Sequence, residues 1–183
     1  MREDFYEGSV APQNLKFQKV LYTIYHLLFI LSLIAFGFTF YLWFMLGDTG
    51  FLVLFGTFLL MAISFYLVKR KIYLFYDYTY VSGELRIVKV INAKKRKLFL
   101  RFDCKSIHQI GKVGSDSFEK LYNEKLHKLK IATPNGLKSA NQLYYLAVNI
   151  DGEKMLIILE CEEKLLSYVV ANRGRGIIEK DYK

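Results

Sequence analysis

The chain has 183 residues, 53% of them apolar and 16% aromatic, with only two prolines and a formal net charge of +9. Such a composition excludes an intrinsically disordered chain, and at ~100–200 residues per domain the length excludes a large second enzyme domain. The charge is unevenly placed: three lysines or arginines stand against four acids up to Val68, and the other 23 basic and 13 acidic residues follow.

Residues 1–19, with Phe5, Tyr6, Val10, Leu15 and Phe17 among polar groups, are read as an N-terminal cytoplasmic or interfacial segment. From Val20 to Leu46 runs VLYTIYHLLFILSLIAFGFTFYLWFML, in which His26 is the one ionisable side chain of acid, base or histidine type. These 27 residues exceed the ~20 needed to cross a hydrocarbon core, so the helix must tilt or project into the interface. Gly47, Asp48 and Gly50 supply a turn, and Phe51 to Val68, FLVLFGTFLLMAISFYLV, gives a second span. Residues 20–68 are therefore predicted to form a two-helix transmembrane hairpin. Two such runs leave no polar face for water, and the acidic leader MREDFYEGSV does not suit a cleaved signal peptide.

Lysine and arginine set the orientation. The inter-helix turn has none, whereas Lys16 and Lys19 precede the first span and Lys69, Arg70 and Lys71 follow the second, as a basic membrane-interface group. Both termini are thus expected in the cytoplasm, with the chain a multi-pass protein of the cell membrane. Tyr22 and Tyr25 at one end of the first helix, and Tyr41 and Trp43 at the other, suit aromatic belts. Ser32, Ala35, Gly37, Thr39, Gly56, Thr57, Ala62 and Ser64 let the two helices approach closely.

After Lys71 the period changes from helix to strand, and residues 72–183 read as a cytoplasmic β domain. Tyr73–Val81, ended by Ser82-Gly83, Glu84–Ile91, Lys97–Phe102 and Ser106–Val113 read as a four-strand meander, with a polar turn over Asn92–Arg96. Asp116–Leu129 breaks the pattern: Phe118, Leu121, Tyr122, Leu126 and Leu129 share a helical face, and Asp116 and Glu119 have capping-box spacing. An inserted amphipathic helix is expected there, with a fifth strand and a long loop as the alternative. Thr133–Gly136, TPNG, is a turn, and Gln142–Ile150 and Glu153–Cys161 flank the hairpin signal Asp151-Gly152. Glu162–Asn172 closes the chain as a helix, acidic at its start and followed by Gly174.

The stretch YDYTYVSGELRIVKVINAKKRKLFLRFDCKSIHQIGKV, Tyr76 to Val113, resembles the pleckstrin-homology-like (PH-like) domains of bacterial membrane proteins that carry a transmembrane hairpin directly before the domain. The resemblance rests on the rhythm of short strand, polar turn, apolar strand, basic turn, arginine-bearing strand and final Ile-x-x-Ile. It implies an α+β domain, a bent barrel of about seven strands capped by the C-terminal helix, and a role in recruitment, assembly or regulation at the membrane.

Reaction chemistry is not legible. There is no GxxxxGK[ST], HExxH, GxSxG or CxxC, so no catalytic, cofactor-binding or metal-binding residue is named. Cys104, His108, His127 and Cys161 follow no zinc-ligand spacing, and both cysteines read as reduced, half-buried strand residues. The feature that calls for a partner is INAKKRKLFLRF, Ile91 to Phe102, where Lys94, Lys95, Arg96, Lys97 and Arg101 occur with no acid among them. Three readings compete: a solvated hairpin tip, a site for anionic lipid next to the membrane, and a docking patch for an acidic protein. No stacking platform or recognised motif points to nucleic acid. The expected function is a non-enzymatic integral membrane protein whose domain binds a protein partner, a second copy of the chain or anionic lipid. The alternative is an accessory subunit of a membrane transport or secretion complex that uses the hairpin as its interface.

Overall fold

The computed structural model describes residues 5–124, 127–139 and 141–179. The chain divides into two compact units, one of residues 14–74 and the other of residues 1–13 together with 75–183. The first unit is therefore an insertion into the second.

The inserted unit is a pair of helices, α1 (Leu15–Leu46) and α2 (Thr49–Ile72), each long and apolar enough to cross a membrane. At 1.5 Å per residue the 32 residues of α1 extend about 48 Å, well beyond a ~30 Å hydrocarbon core. Gly47 ends α1 in the left-handed region, its N–H bonded to Trp43 O, and the Asp48 carboxylate caps α2 by accepting from the Gly50 N–H at 2.8 Å. Small residues occupy the helix–helix seam: Ser32, Thr39 and Ala62 are buried. The hydroxyls of Ser32, Thr39, Thr57 and Ser64 donate to carbonyls one turn back, so each has a partner within its own helix. Ring pairs such as Phe36–Phe55 and Phe29–Tyr66 fill the remainder of the seam.

The described residues of the second unit form eight strands. The first sheet has the order β1 (Phe5–Val10), β2 (Leu74–Val81), β3 (Glu84–Ile91), β4 (Lys95–Asp103). The second has the order β5 (Ile107–Lys112), β7 (Tyr144–Ile150), β8 (Glu153–Leu159), β6 (Lys128–Ala132), with β6 parallel to β8. Alternation on β2 turns Tyr76, Tyr78 and Tyr80 inward against Leu85, Ile87, Phe102, Leu146 and Ile157. The helix α4 (Glu163–Arg173) adds Leu165, Leu166 and Val169 to that core. The opposite face of the second sheet is covered by α3 (Asp116–Asn123), where Phe118 packs on Tyr145, Leu156 and Ile158. Strands β7 and β8 are thus buried on both faces, which is why they read as near-continuous apolar runs.

Several expectations are corrected. Two separate four-stranded sheets replace the single bent barrel of about seven strands; among the described residues no strand pairing closes them. Residues 5–10, in the segment read as cytoplasmic or interfacial without a strand being recognised there, form β1, paired with β2 from Phe5↔Val81 to Val10↔Tyr76. The inserted helix stops at Asn123, capped by the Ser115 hydroxyl on the Phe118 N–H rather than by Asp116. Leu129 belongs instead to β6, and Leu126 lies outside the described residues. The Asp151-Gly152 turn forms as read, with φ of 52° and 82°, the positive pair of a type I′ hairpin.

Candidate functional site

The basic run sits at the tip of the β3–β4 hairpin. The turn is Asn92, Ala93 and Lys94, with φ of 56° and 54° at the first two and a Lys94 N–H bond to Ile91 O. Lys95, Arg96 and Lys97 are the first residues of β4, and all four basic side chains from Lys94 to Lys97 are exposed. Because β4 is the outer strand of its sheet, these charges also protect an open edge from pairing with another strand. That structural duty explains part of the run.

Cross-strand register separates the five basic residues into two groups. Arg86 lies opposite Arg101, a like-charge pair that costs stability unless it is neutralised. Glu84 neutralises it, taking hydrogen bonds from both guanidiniums, with Arg101 at 2.8 Å. These two partners, Arg101 foremost, hold the Glu84 carboxyl down at about 2. Arg96 lies 3.6 Å from Asp77 of β2. Arg96 and Arg101 are therefore engaged within the sheet, whereas among the described residues Lys94, Lys95 and Lys97 form no ion pair.

Lys97 stands opposite Lys89, a second like-charge pair, and here no acid intervenes among the described ion pairs. A bulge between Ile87 and Val88 leaves Phe99 as the extra residue of β4. Phe99 meets the Tyr76 ring edge-on, with centroids 5.6 Å apart. Lys89 Nζ lies 6.0 Å from the Tyr76 ring centre and Lys130 Nζ, from β6, lies 5.9 Å from that of Phe99. Sequence reading missed Lys89 and Lys130. The hairpin register carried the signal for Lys89; nothing local announced Lys130, which arrives from the other sheet.

Topology places this surface at one end of the first sheet. Ser82-Gly83 joins β2 to β3 at the far end, beside the Phe5↔Val81 pair. The Asn92–Lys94 turn lies at the near end, where β1 finishes at Val10 and β2 begins at Leu74. The chain leaves for the apolar hairpin and returns from it at that same near end.

The basic triad expected at a membrane interface, Lys69, Arg70 and Lys71, is not uniform. Arg70 and Lys71 are exposed, but Lys69 is turned into the hairpin, 8% exposed. Its ammonium donates to His26 Nδ1 at 3.2 Å and lies 4.4 Å from the Phe29 ring centre. The one ionisable group of the first span is thus a partner for a lysine of the second.

Two buried carboxylates were not anticipated. Glu160, 3% exposed, accepts from Thr133 Oγ1 at 2.5 Å, Asn141 Nδ2 at 2.6 Å and Asn135 Nδ2 at 2.9 Å. Asn135 in turn donates to Ala11 O and accepts from the Gln13 N–H, so Glu160 fixes the residues that lead into α1. A cavity of about 340 Å³ adjoins it, lined by Tyr6, Gly8, Val10, Tyr78, Cys161 and Glu162. Glu179 accepts from the Lys112 N–H, Ser115 Oγ and Tyr145 OH, and burial followed by the Glu179 charge pushes the Tyr145 hydroxyl upward. Each of these carboxylates is saturated by donors from its own domain.

The four side chains weighed for zinc do not assemble. Cys104 is in the main core, while His108 and His127 line a different cavity of about 300 Å³. Among the described residues no group of three or more histidines, cysteines or acids is placed to hold a metal ion. Burial pushes both thiols up to about 12.

Comparison with curated proteins and with solved structures found no match. The sequence does match the profile of a bacterial PH-like domain (DUF6106) over residues 3–179, a span that includes β1, the helical insertion and both sheets. The chain belongs to this bacterial PH-like domain family.

Proposed function

We propose that this chain is a non-enzymatic, multi-pass membrane protein whose PH-like domain faces the cytoplasm and docks an acidic surface on the β3–β4 hairpin. The observation that carries the reading is the insertion of the apolar hairpin between β1 and β2, at the sheet end that bears Lys94, Lys95 and Lys97. Pairing of β1 with β2 supports an even number of crossings, because residues before the first span and after the second must meet in one sheet. Lys16, Lys19, Arg70 and Lys71 at the hairpin's open end, against none in its turn, favour the cytoplasmic side for that sheet.

The occupant of the hairpin tip is an acidic protein surface or anionic lipid. Native mass spectrometry of the gently solubilised full chain tests this against K94Q/K95Q/R96Q/K97Q. A discrete protein or lipid adduct that disappears in the variant supports the docking role; identical spectra refute it. A second reading, an accessory subunit of a membrane complex, is favoured by Gly37 and Gly56, which face open space in the hairpin and leave room for another helix to approach.

A further inference from the structure

We infer that the outer face of α1 docks a transmembrane helix of a partner protein, one whose aspartate or glutamate accepts a hydrogen bond from His26 Nε2. The inference rests on the membrane reading of the hairpin and gives the accessory-subunit form of that reading a contact and a partner chemistry. Three features of the helical unit carry it.

The first is a donor held in place without an acceptor. Lys69 Nζ lies 3.2 Å from His26 Nδ1, and an ammonium only donates, so Nδ1 accepts and the ring proton sits on Nε2. The rings of Tyr22 and Phe29, one turn before and one turn after, stack on the imidazole with centroids 6.2 and 6.5 Å away and fix its plane. His26 is exposed while Lys69 is 8% exposed, so the hairpin presents an N–H on its outside with a cation behind it. Among the described residues no acceptor meets Nε2.

The second is charge. Residues 14–74 carry Lys16, Lys19, Lys69, Arg70 and Lys71 but a single acid, Asp48. That acid caps α2, roughly 30 Å of helix away from His26. Lys69 has only the imidazole and the faces of Phe29 and Tyr66, with no acid among the described ion pairs. In hydrocarbon, polar and ionised side chains take their partners from protein. A carboxylate supplies both the acceptor that Nε2 lacks and the negative charge that Lys69 lacks. Lys69 acts here through His26, as a positioning residue.

The third is shape. His26, Ile30, Leu33 and Gly37 follow at spacings of four, three and four, which puts them on one stripe of α1, and all four are exposed. A Cβ at Gly37 would meet nothing within 4 Å, so the stripe has a notch about 16 Å from its polar end. A second helix lying along the stripe would cover Ile30 and Leu33, approach closely at Gly37 and bring one side chain to His26.

The test measures energy transfer between the labelled full chain and a labelled leucine-alanine transmembrane peptide of about 23 residues in phosphatidylcholine vesicles. One peptide carries a glutamate about 9 Å inside its apolar run, the depth of His26 beyond Val20; the other carries leucine there. The glutamate peptide is expected to bind about tenfold more tightly. H26A should abolish that preference and K69M should reduce it. H26Q should keep it, because the glutamine amide N–H takes the place of Nε2, and so should R70Q/K71Q. G37I should weaken binding of both peptides, whereas L31F, on a different exposed face of α1, should not.

Equal binding of the two peptides by the parent would overturn the inference. So would a preference that survives H26A and is lost in R70Q/K71Q, since the basic helix end would then be the attractant. Flotation of the chain with the vesicles separates the two readings. A chain that floats and does not discriminate sinks the helix partner and leaves the membrane module standing; a chain that does not float overturns both.

Discussion

Replacing Glu160 by alanine tests whether the link into the hairpin is built as described. The carboxylate collects donors from Thr133, Asn135 and Asn141, of which Thr133 is 5% exposed and Asn141 is exposed. Asn141 recovers a water partner after truncation, Asn135 does so in part, and the Thr133 hydroxyl is stranded. One buried donor left unpaired, added to the lost charge-assisted bonds, amounts to roughly 2–4 kcal/mol, with glutamine costing about half because one oxygen still accepts. The loss is also local: Asn135 no longer holds Ala11 O and the Gln13 N–H. Hydrogen exchange of the full chain in nanodiscs is expected to show opening of residues 9–14 and of the 133–136 turn, larger for E160A than for E160Q. A change below about 0.5 kcal/mol at these amides, or opening confined to β8, would refute the argument.

Gly111 makes a second test, because a Cβ there would lie 2.1 Å from the Glu179 carboxyl carbon. G111A is expected to expel Glu179 and cost about 2–4 kcal/mol, whereas G111A/E179A costs no more than E179A alone; additive losses in that cycle would contradict the contact. Glu84 predicts a pH effect: its carboxyl is depressed from 4.5 to about 2, so its contribution is complete above pH 4.5 and is lost as pH falls toward 2. The thermal-unfolding difference between the parent and E84Q should therefore shrink over that window, and salt should shrink it further at neutral pH; a difference constant with pH would argue against the Arg101–Glu84–Arg86 bridge. With both thiols near 12, maleimide at neutral pH is expected to leave Cys104 and Cys161 unmodified in the folded protein and to label both in denaturant.

What was legible depended on how local the signal was. The two long apolar helices were legible because their runs need no partner to be recognised, and Asp151-Gly152 because its turn geometry is set by two adjacent residues. Phe5–Val10 escaped because its partner β2 comes after the whole hairpin, so six alternating residues stood without a neighbour. Lys128–Ala132 escaped for a different reason. Leu126 and Leu129 continue the helical spacing of Phe118 and Leu121, while the pairing that makes the strand is a parallel one with β8. Lys69 shows the limit for the site: composition placed it at a membrane end, but the rotation of α2 that turns it to His26 has no signature in the sequence. Register explains why Arg96 and Arg101 are engaged by Asp77 and Glu84 while Lys97 faces Lys89.

The central claim is that an apolar hairpin crosses the membrane and returns the chain to a PH-like domain on the cytoplasmic side. Single-cysteine labelling with a membrane-impermeant maleimide tests it directly, in a C104S/C161S background carrying either D48C in the inter-helix turn or K94C at the basic tip. On intact cells D48C should label and K94C should not, and inverted membrane vesicles should give the reverse. Labelling of both positions from the same side, or recovery of the protein in the soluble fraction, would contradict the account.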